Sequence, residues 1–222
     1  MENWRKKCFF YFRDWSFLKS FFWSWIFLVV SLVGNFYAAV YAAERASNPV
    51  TDIILNNIRV YDVDTIFIYG PILLFIFLGY LLLVEPQKLP FVLKSISLFV
   101  VIRSGFITLT HIGPFPTHLV LDPESFITHF TTGNDLFFSA HTGLPFLLAL
   151  IFWQNRRLRP IFIGCSILFG AVVLLGHLHY SIDVMSAFFI TFTIYHLAKY
   201  FFVKDKAFFD SRCLPLANLG KI

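Results

Sequence analysis

Cysteine is scarce in this chain, and the three present, Cys8, Cys165 and Cys213, are odd in number and far apart. They supply neither a disulfide framework nor a metal-ligand spacing. No internal repeat, low-complexity tract or linker divides the 222 residues, a length that allows one domain or two small ones. Charge is sparse too, at 14% of residues, with a net balance of only +5. That balance sits almost wholly on one side of a series of apolar runs, so it speaks for orientation in a membrane and not for nucleic acid. What fills the chain instead is hydrophobic: 58% of residues, with 30 Phe and a mean hydropathy of +0.71. Soluble domains average about 45–50% apolar, so an ordinary soluble domain is excluded.

Six apolar runs can each supply the roughly 20 residues that a membrane span needs. They cover residues 21–43, 65–84, 90–112, 136–153, 160–176 and 182–203. The first is too long, and too far from the N-terminus, for a signal-peptide core. The expected fold is therefore all-α, a polytopic bundle of six transmembrane helices over residues 21–203. Residues 1–20 mix aromatic and basic side chains, as an interfacial helix does, or a merely solvated positive flank. Residues 204–222 read as a loose polar tail. Arg5, Lys6, Lys7, Arg13, Lys19, Lys88, Lys94, Arg156, Arg157, Arg159, Lys199, Lys204, Lys206, Arg212 and Lys221 share one side of the runs. Arg45 and Arg59 lie on the other, and Arg103 lies within a run. The asymmetry predicts that both termini are cytoplasmic, together with the second and fourth connections, and that the other connections face outward.

Six of the seven histidines, at 111, 118, 129, 141, 177 and 179, fall on that outward side. Two clusters of polar residues stand out. One reads Gly133-Asn-Asp-Leu-Phe-Phe-Ser-Ala-His-Thr-Gly143, the other Gly176-His-Leu-His-Tyr-Ser-Ile-Asp-Val184. A chain crossing the membrane twice between them returns the second to the side of the first. His179 and Asp183 are four apart, so at a helix start they share a face. A carboxylate there accepts the imidazole N–H, fixes its tautomer and favours its protonated form. His141, delivered by the earlier run, supplies a second imidazole, and two histidines with an aspartate at a membrane surface suit phosphoryl transfer: one His attacks phosphorus, the Asp orients it, and the other protonates the leaving oxygen. His177, six before Asp183, reads better as a polar residue at the outer interface. No metal is called for, because the spacing fits no ligand signature.

Asp135-Leu-Phe-Phe-Ser-Ala-His141-Thr142 resembles the first catalytic block of the sphingomyelin synthases, and His179-Tyr-Ser-Ile-Asp-Val184 with Ala187-Phe-Phe-Ile-Thr191 resembles their second. Both belong to the wider lipid phosphate phosphatase (PAP2) superfamily, and the resemblance spans roughly residues 48–200. Ala140 stands where the family has Gly, and the basic phosphate motif of the phosphatase branch is absent, with Val173 six before His179. The resemblance implies a PAP2-like bundle without a cofactor. It implies transfer of a phosphocholine or phosphoethanolamine headgroup from a glycerophospholipid to a lipid alcohol such as ceramide or diacylglycerol. By the same resemblance the covalent carrier would be a phosphohistidine on His179, oriented by Asp183, and His141 would protonate the departing oxygen. With water as acceptor, the same site would be a lipid phosphatase or phospholipase C. A non-catalytic lipid transporter or binding protein is a third reading, but no inverted repeat supports it.

Four further residues are candidates for holding substrate. Arg103, on the outward half of its run, could clamp the phosphodiester with a bidentate guanidinium or snorkel outward. A family Arg also precedes a Thr and a Pro-x-Pro, as Arg103 precedes Thr108, Thr110 and Pro114-Phe-Pro116. Asp135, six before His141 as in the family, could meet a cationic headgroup or be a solvated loop acid. Ser139 and Thr142 could donate to phosphate oxygens or serve as N-cap residues of the fourth span. Asn48-Pro-Val-Thr-Asp52 matches a family Pro-Leu-Pro-Asp element loosely. The expected setting is a bacterial cytoplasmic membrane with a periplasmic site, or a Golgi or ER membrane with a lumenal one.

Overall fold

Every regular element among the described residues, 11–119 and 136–211 of this computed structural model, is helical. The helices are α1 (Trp15–Glu44), α2 (Asp64–Val84), α3 (Leu89–Leu109), α4 (Ala140–Ile151), α5 (Leu158–Leu175), α6 (Ser181–Phe201) and α7 (Val203–Asp210), with a 3-10 turn at Pro86–Lys88. Five of these stretches are long and apolar enough to cross a membrane: α1, α2, the turn with α3, α5 and α6. Their outward-facing Phe, Leu, Ile and Trp side chains are left exposed, as lipid-facing residues are. These features make the chain a multi-pass integral membrane protein.

The run at 136–153 departs from expectation. Only Ala140–Ile151 is helical, 12 residues that extend about 18 Å at 1.5 Å per residue. A hydrocarbon core is about 30 Å thick, so α4 is short for a span. Ser139 caps its start, with Oγ accepting the Thr142 N–H at 3.4 Å. Beyond its end the Asn155 side chain accepts the N–H groups of Arg157 and Leu158 and starts α5. Hydropathy counts apolar residues and does not register such caps.

Residues 15–20 belong to the long α1, whose Asp14 cap accepts the Ser16 N–H at 2.9 Å. Small side chains let α1 lie close along α3: Ala38 and Ala39 bury Ile107. Phe91, Phe99, Phe138, Leu147, Phe162, Ala187 and Ile194 build the main core. Gly143 makes the meeting of α3, α4 and α6 possible, since a Cβ there would lie 2.7 Å from the Phe99 ring and 2.9 Å from Thr191 Oγ1.

The tail is not loose as far as residue 211. Val203–Asp210 forms α7, with Asp205, Phe208 and Phe209 buried. Asp205 pairs with Lys94 at 2.8 Å and accepts the Ser20 hydroxyl, which ties α7 to α3 and α1. The two ends of the bundle differ in character. His111, His118, His141, His177 and His179 gather where α4 and α6 begin, while Lys88, Lys94, Lys199 and Lys206 sit at the opposite end. His129, Cys8 and Cys213 lie outside the described residues.

Candidate active site

The second histidine block is shaped by the way α5 ends. The His177 N–H bonds to the Leu174 carbonyl at 3.0 Å and the Leu178 N–H to the Val173 carbonyl at 2.9 Å. This is a Schellman motif, and its left-handed residue is His177, at φ 53°. Glycine usually takes that place. Here Gly176 stands one position earlier, where a Cβ would lie 2.7 Å from Val63 Cγ2.

The reversal sets His179 just before Tyr180, the N-cap of α6, and Asp183 in the first turn. Asp183 Oδ2 accepts the Tyr180 N–H at 2.9 Å and lies 3.4 Å from His179 Nδ1. His179 therefore reaches its aspartate from a turn and not from the helix itself. Asp183 is fully buried and His179 is 7% exposed. Acidic side chains are common in the first turn of a helix, where free backbone N–H groups point. With Nδ1–H directed at Asp183, the lone pair of the imidazole resides on Nε2.

The first block is joined to the second through the backbone: the Ser139 N–H donates to the Asp183 carbonyl at 3.2 Å. His141 follows on the first turn of α4, half-buried, its ring stacked on Phe67 of α2 at 4.2 Å and 22°. Ser139 is buried as the N-cap of α4. Thr142 is also buried; its hydroxyl lies 3.4 Å from Ser139 Oγ, and its carbonyl accepts the Ser166 hydroxyl at 2.8 Å. Arg103 is 6% exposed, and its Nε–H donates to the Phe138 carbonyl at 2.9 Å, bracing the segment that carries His141. Asp135 lies outside the described residues. The structure thus brings His141, His179, Asp183, Ser139, Thr142 and Arg103 to one end of the bundle.

Sequence reasoning gave little weight to two residues that hold this arrangement. Asp52, buried in the α1–α2 connection, accepts the Ser181 N–H at 2.7 Å with Oδ2, and those of Ile54 and Leu55 at 2.8 and 3.1 Å with Oδ1. Burial opposes its ionisation, but these N–H donors outweigh it and hold the carboxyl below its ordinary value. Asp52 thereby caps the first turn of α6 from a distant segment, which the loose Pro-x-x-Asp match could not convey. Tyr180 donates its hydroxyl to the Gly113 carbonyl at 2.8 Å and accepts the Val50 N–H at 3.2 Å. The interface reading of His177 is corrected: it is buried, with Nδ1 2.6 Å from Thr117 Oγ1. Burial lowers its pKa against the opposing charge of Asp52. Among the described residues no group of three His, Cys, Asp or Glu side chains is placed to hold a metal ion.

A multi-pass helical protein with a buried His–Asp pair at one end of its bundle is the class that fold and site define. A family profile described as PAP2 superfamily C-terminal matches residues 132–200, a segment that contains both histidine blocks. The match is consistent with that superfamily, whose members act on phosphoesters. No curated protein and no solved structure matches the chain.

Proposed function

We propose that the chain is a lipid headgroup phosphotransferase of the sphingomyelin synthase type. The observation that carries this reading is the Ser139–Asp183 backbone bond, which joins the two histidine blocks, with His179 Nδ1 at 3.4 Å from Asp183. In the first step His179 Nε2 attacks the phosphorus of a glycerophospholipid. An N–P bond forms, the P–O bond to diacylglycerol breaks, and His141 donates a proton to the departing oxygen. Asp183 stabilises the positively charged phosphoimidazole through Nδ1–H. In the second step His141 takes the proton of a lipid alcohol, such as ceramide or diacylglycerol, as its oxygen attacks phosphorus and the N–P bond breaks.

Arg103, braced against Phe138, is the proposed contact for the phosphodiester monoanion, and Asp135 for a choline or ethanolamine cation. Ser139 and Thr142 are the proposed hydroxyl donors to phosphate oxygens, through hydroxyls that already hold the cap of α4. The site faces outward, to a periplasm or lumen, on the topology set by the basic residues. Apolar side chains around the blocks, Leu136, Phe137, Phe138 and Leu144 among them, favour acyl chains over bulk water and support a lipid acceptor. The test is lipid mass spectrometry of purified protein given a headgroup-labelled phospholipid, with and without ceramide and diacylglycerol. Label is expected in a new lipid at the expense of free headgroup phosphate. Unchanged hydrolysis with either acceptor would replace this reading with a phospholipase.

A further inference from the structure

A cavity of about 1150 Å³ lies at the end of the bundle away from the histidines, beneath the C-terminal end of α4. It coincides with the shortness of that helix, whose start is fixed by Ser139 so that the shortfall lies at the other end. Its walls combine two chemistries. Phe146 of α4 and Phe192 and Tyr195 of α6 form an aromatic side that extends towards the middle of the bundle. Lys88, Lys199 and Lys206 line the polar side with Glu85 and Asp210. Lys88 pairs with Glu85, and Lys206 with Asp210. Lys199 forms no ion pair among the described residues and rests over the Tyr195 ring at 4.8 Å. The cavity therefore carries a surplus positive charge. Gln87 borders the cavity as well; it is 5% exposed, and its Oε1 is buried without a hydrogen-bond partner among the described residues. Buried acceptors without a partner are costly, and each one calls for a donor.

We propose that this cavity is a second lipid site, selective for an anionic phospholipid. The phosphate is held by Lys199, a headgroup hydroxyl donates to Gln87, and an acyl chain lies against Phe146 and Phe192. A zwitterionic headgroup would bring a further cation beside three lysines, so charge complementarity selects against it. Inorganic phosphate shares the headgroup chemistry but has nothing to place on the aromatic wall.

The experiment uses the full chain in nanodiscs containing equal phosphatidylglycerol and phosphatidylcholine, delipidated stepwise and read by native mass spectrometry. Phosphatidylglycerol should be retained about tenfold over phosphatidylcholine, as expected for one charge-assisted contact. Lys199→Gln should abolish the preference and Lys199→Arg should keep it. Gln87→Leu should weaken it by about threefold, and His179→Ala should leave it intact. Melting curves in phosphatidylcholine alone establish that each variant folds. Equal retention of both lipids, or a preference untouched in a folded Lys199→Gln, would overturn the proposal. Displacement of the lipid by millimolar inorganic phosphate would overturn the lipid assignment.

Discussion

His177 stands at the left-handed position of the α5 cap, a region that Asn, Asp and His enter more readily than other L side chains and that β-branched residues enter scarcely at all. His177→Asn should keep this turn, whereas His177→Val should cost about 1–2 kcal/mol in unfolding free energy for a β-branched residue in that region. Its pKa is lowered by burial, so the unfolded chain binds a proton more readily than the folded one. The stabilisation is complete above the ordinary value of about 6.5 and is lost as pH falls through the folded value. Melting temperature should therefore drop between pH 7 and 5, and His177→Asn should flatten that drop. Asp52, also lowered, contributes stability above the ordinary carboxylate range and loses it at still more acid pH. At the proposed site, a folded His179→Ala preparation should lack turnover. Asp183→Asn should lose about four decades of rate by analogy with triad aspartates. Near-normal headgroup transfer by His179→Ala would remove the covalent step. The nearness of His179 and Asp183 was legible from their four-residue spacing, although the contact is made from the turn before α6 and not from a shared helical face. His177 was not, because nothing in Gly-His-Leu-His says which residue takes the left-handed position.

Among the elements, the long spans were the easiest to read, since a sustained apolar run encodes them directly. The ends of α4 and the existence of α7 were harder. Both are set by side-chain bonds: Ser139 caps α4, and Asp205 draws a polar-looking tail onto Lys94 and Ser20. Phe208 and Phe209 then bury themselves on the far end of the bundle. Asp205→Ala leaves Lys94 largely buried without its partner, and should destabilise the fold by about 3 kcal/mol. Replacing both with Leu should recover most of that loss, because a buried pair is often matched by well-packed apolar residues. A double-mutant cycle on denaturant unfolding in detergent measures this. Independent, additive effects of the two substitutions would show that Lys94 and Asp205 do not hold α7 as a pair. Helix–helix approach was legible only in hindsight from composition, because Gly143 and Gly176 look alike in sequence. Each, however, meets a different neighbour, Phe99 in one case and Val63 in the other.

The whole molecule has a histidine end and a lysine end, and this polarity ties the distribution of charge to the location of the chemistry. Sequence placed the cations on one side by counting connections, and the fold gathers Lys88, Lys94, Lys199 and Lys206 where α3 begins and α6 ends. Lys and Arg are retained on the cytoplasmic side of short connections during insertion. The lysine end is therefore expected in the cytoplasm, and the His179–Asp183 pair on the outer face. Thr117, which lies beside His177, and Asn155, in the turn between α4 and α5, mark the two ends. In a chain with Cys8, Cys165 and Cys213 replaced by Ala, single cysteines at these positions report topology. Thr117→Cys should react with a membrane-impermeant maleimide in sealed cells, and Asn155→Cys only after permeabilisation. Thr117 can be shielded by its contact with His177, so Ser47→Cys, in the exposed α1–α2 connection at the same end, provides an independent reporter. The reverse pattern at Ser47 and Asn155 would place the histidines in the cytoplasm. It would also move the proposed headgroup transfer to the inner leaflet, leaving the His–Asp chemistry itself untouched.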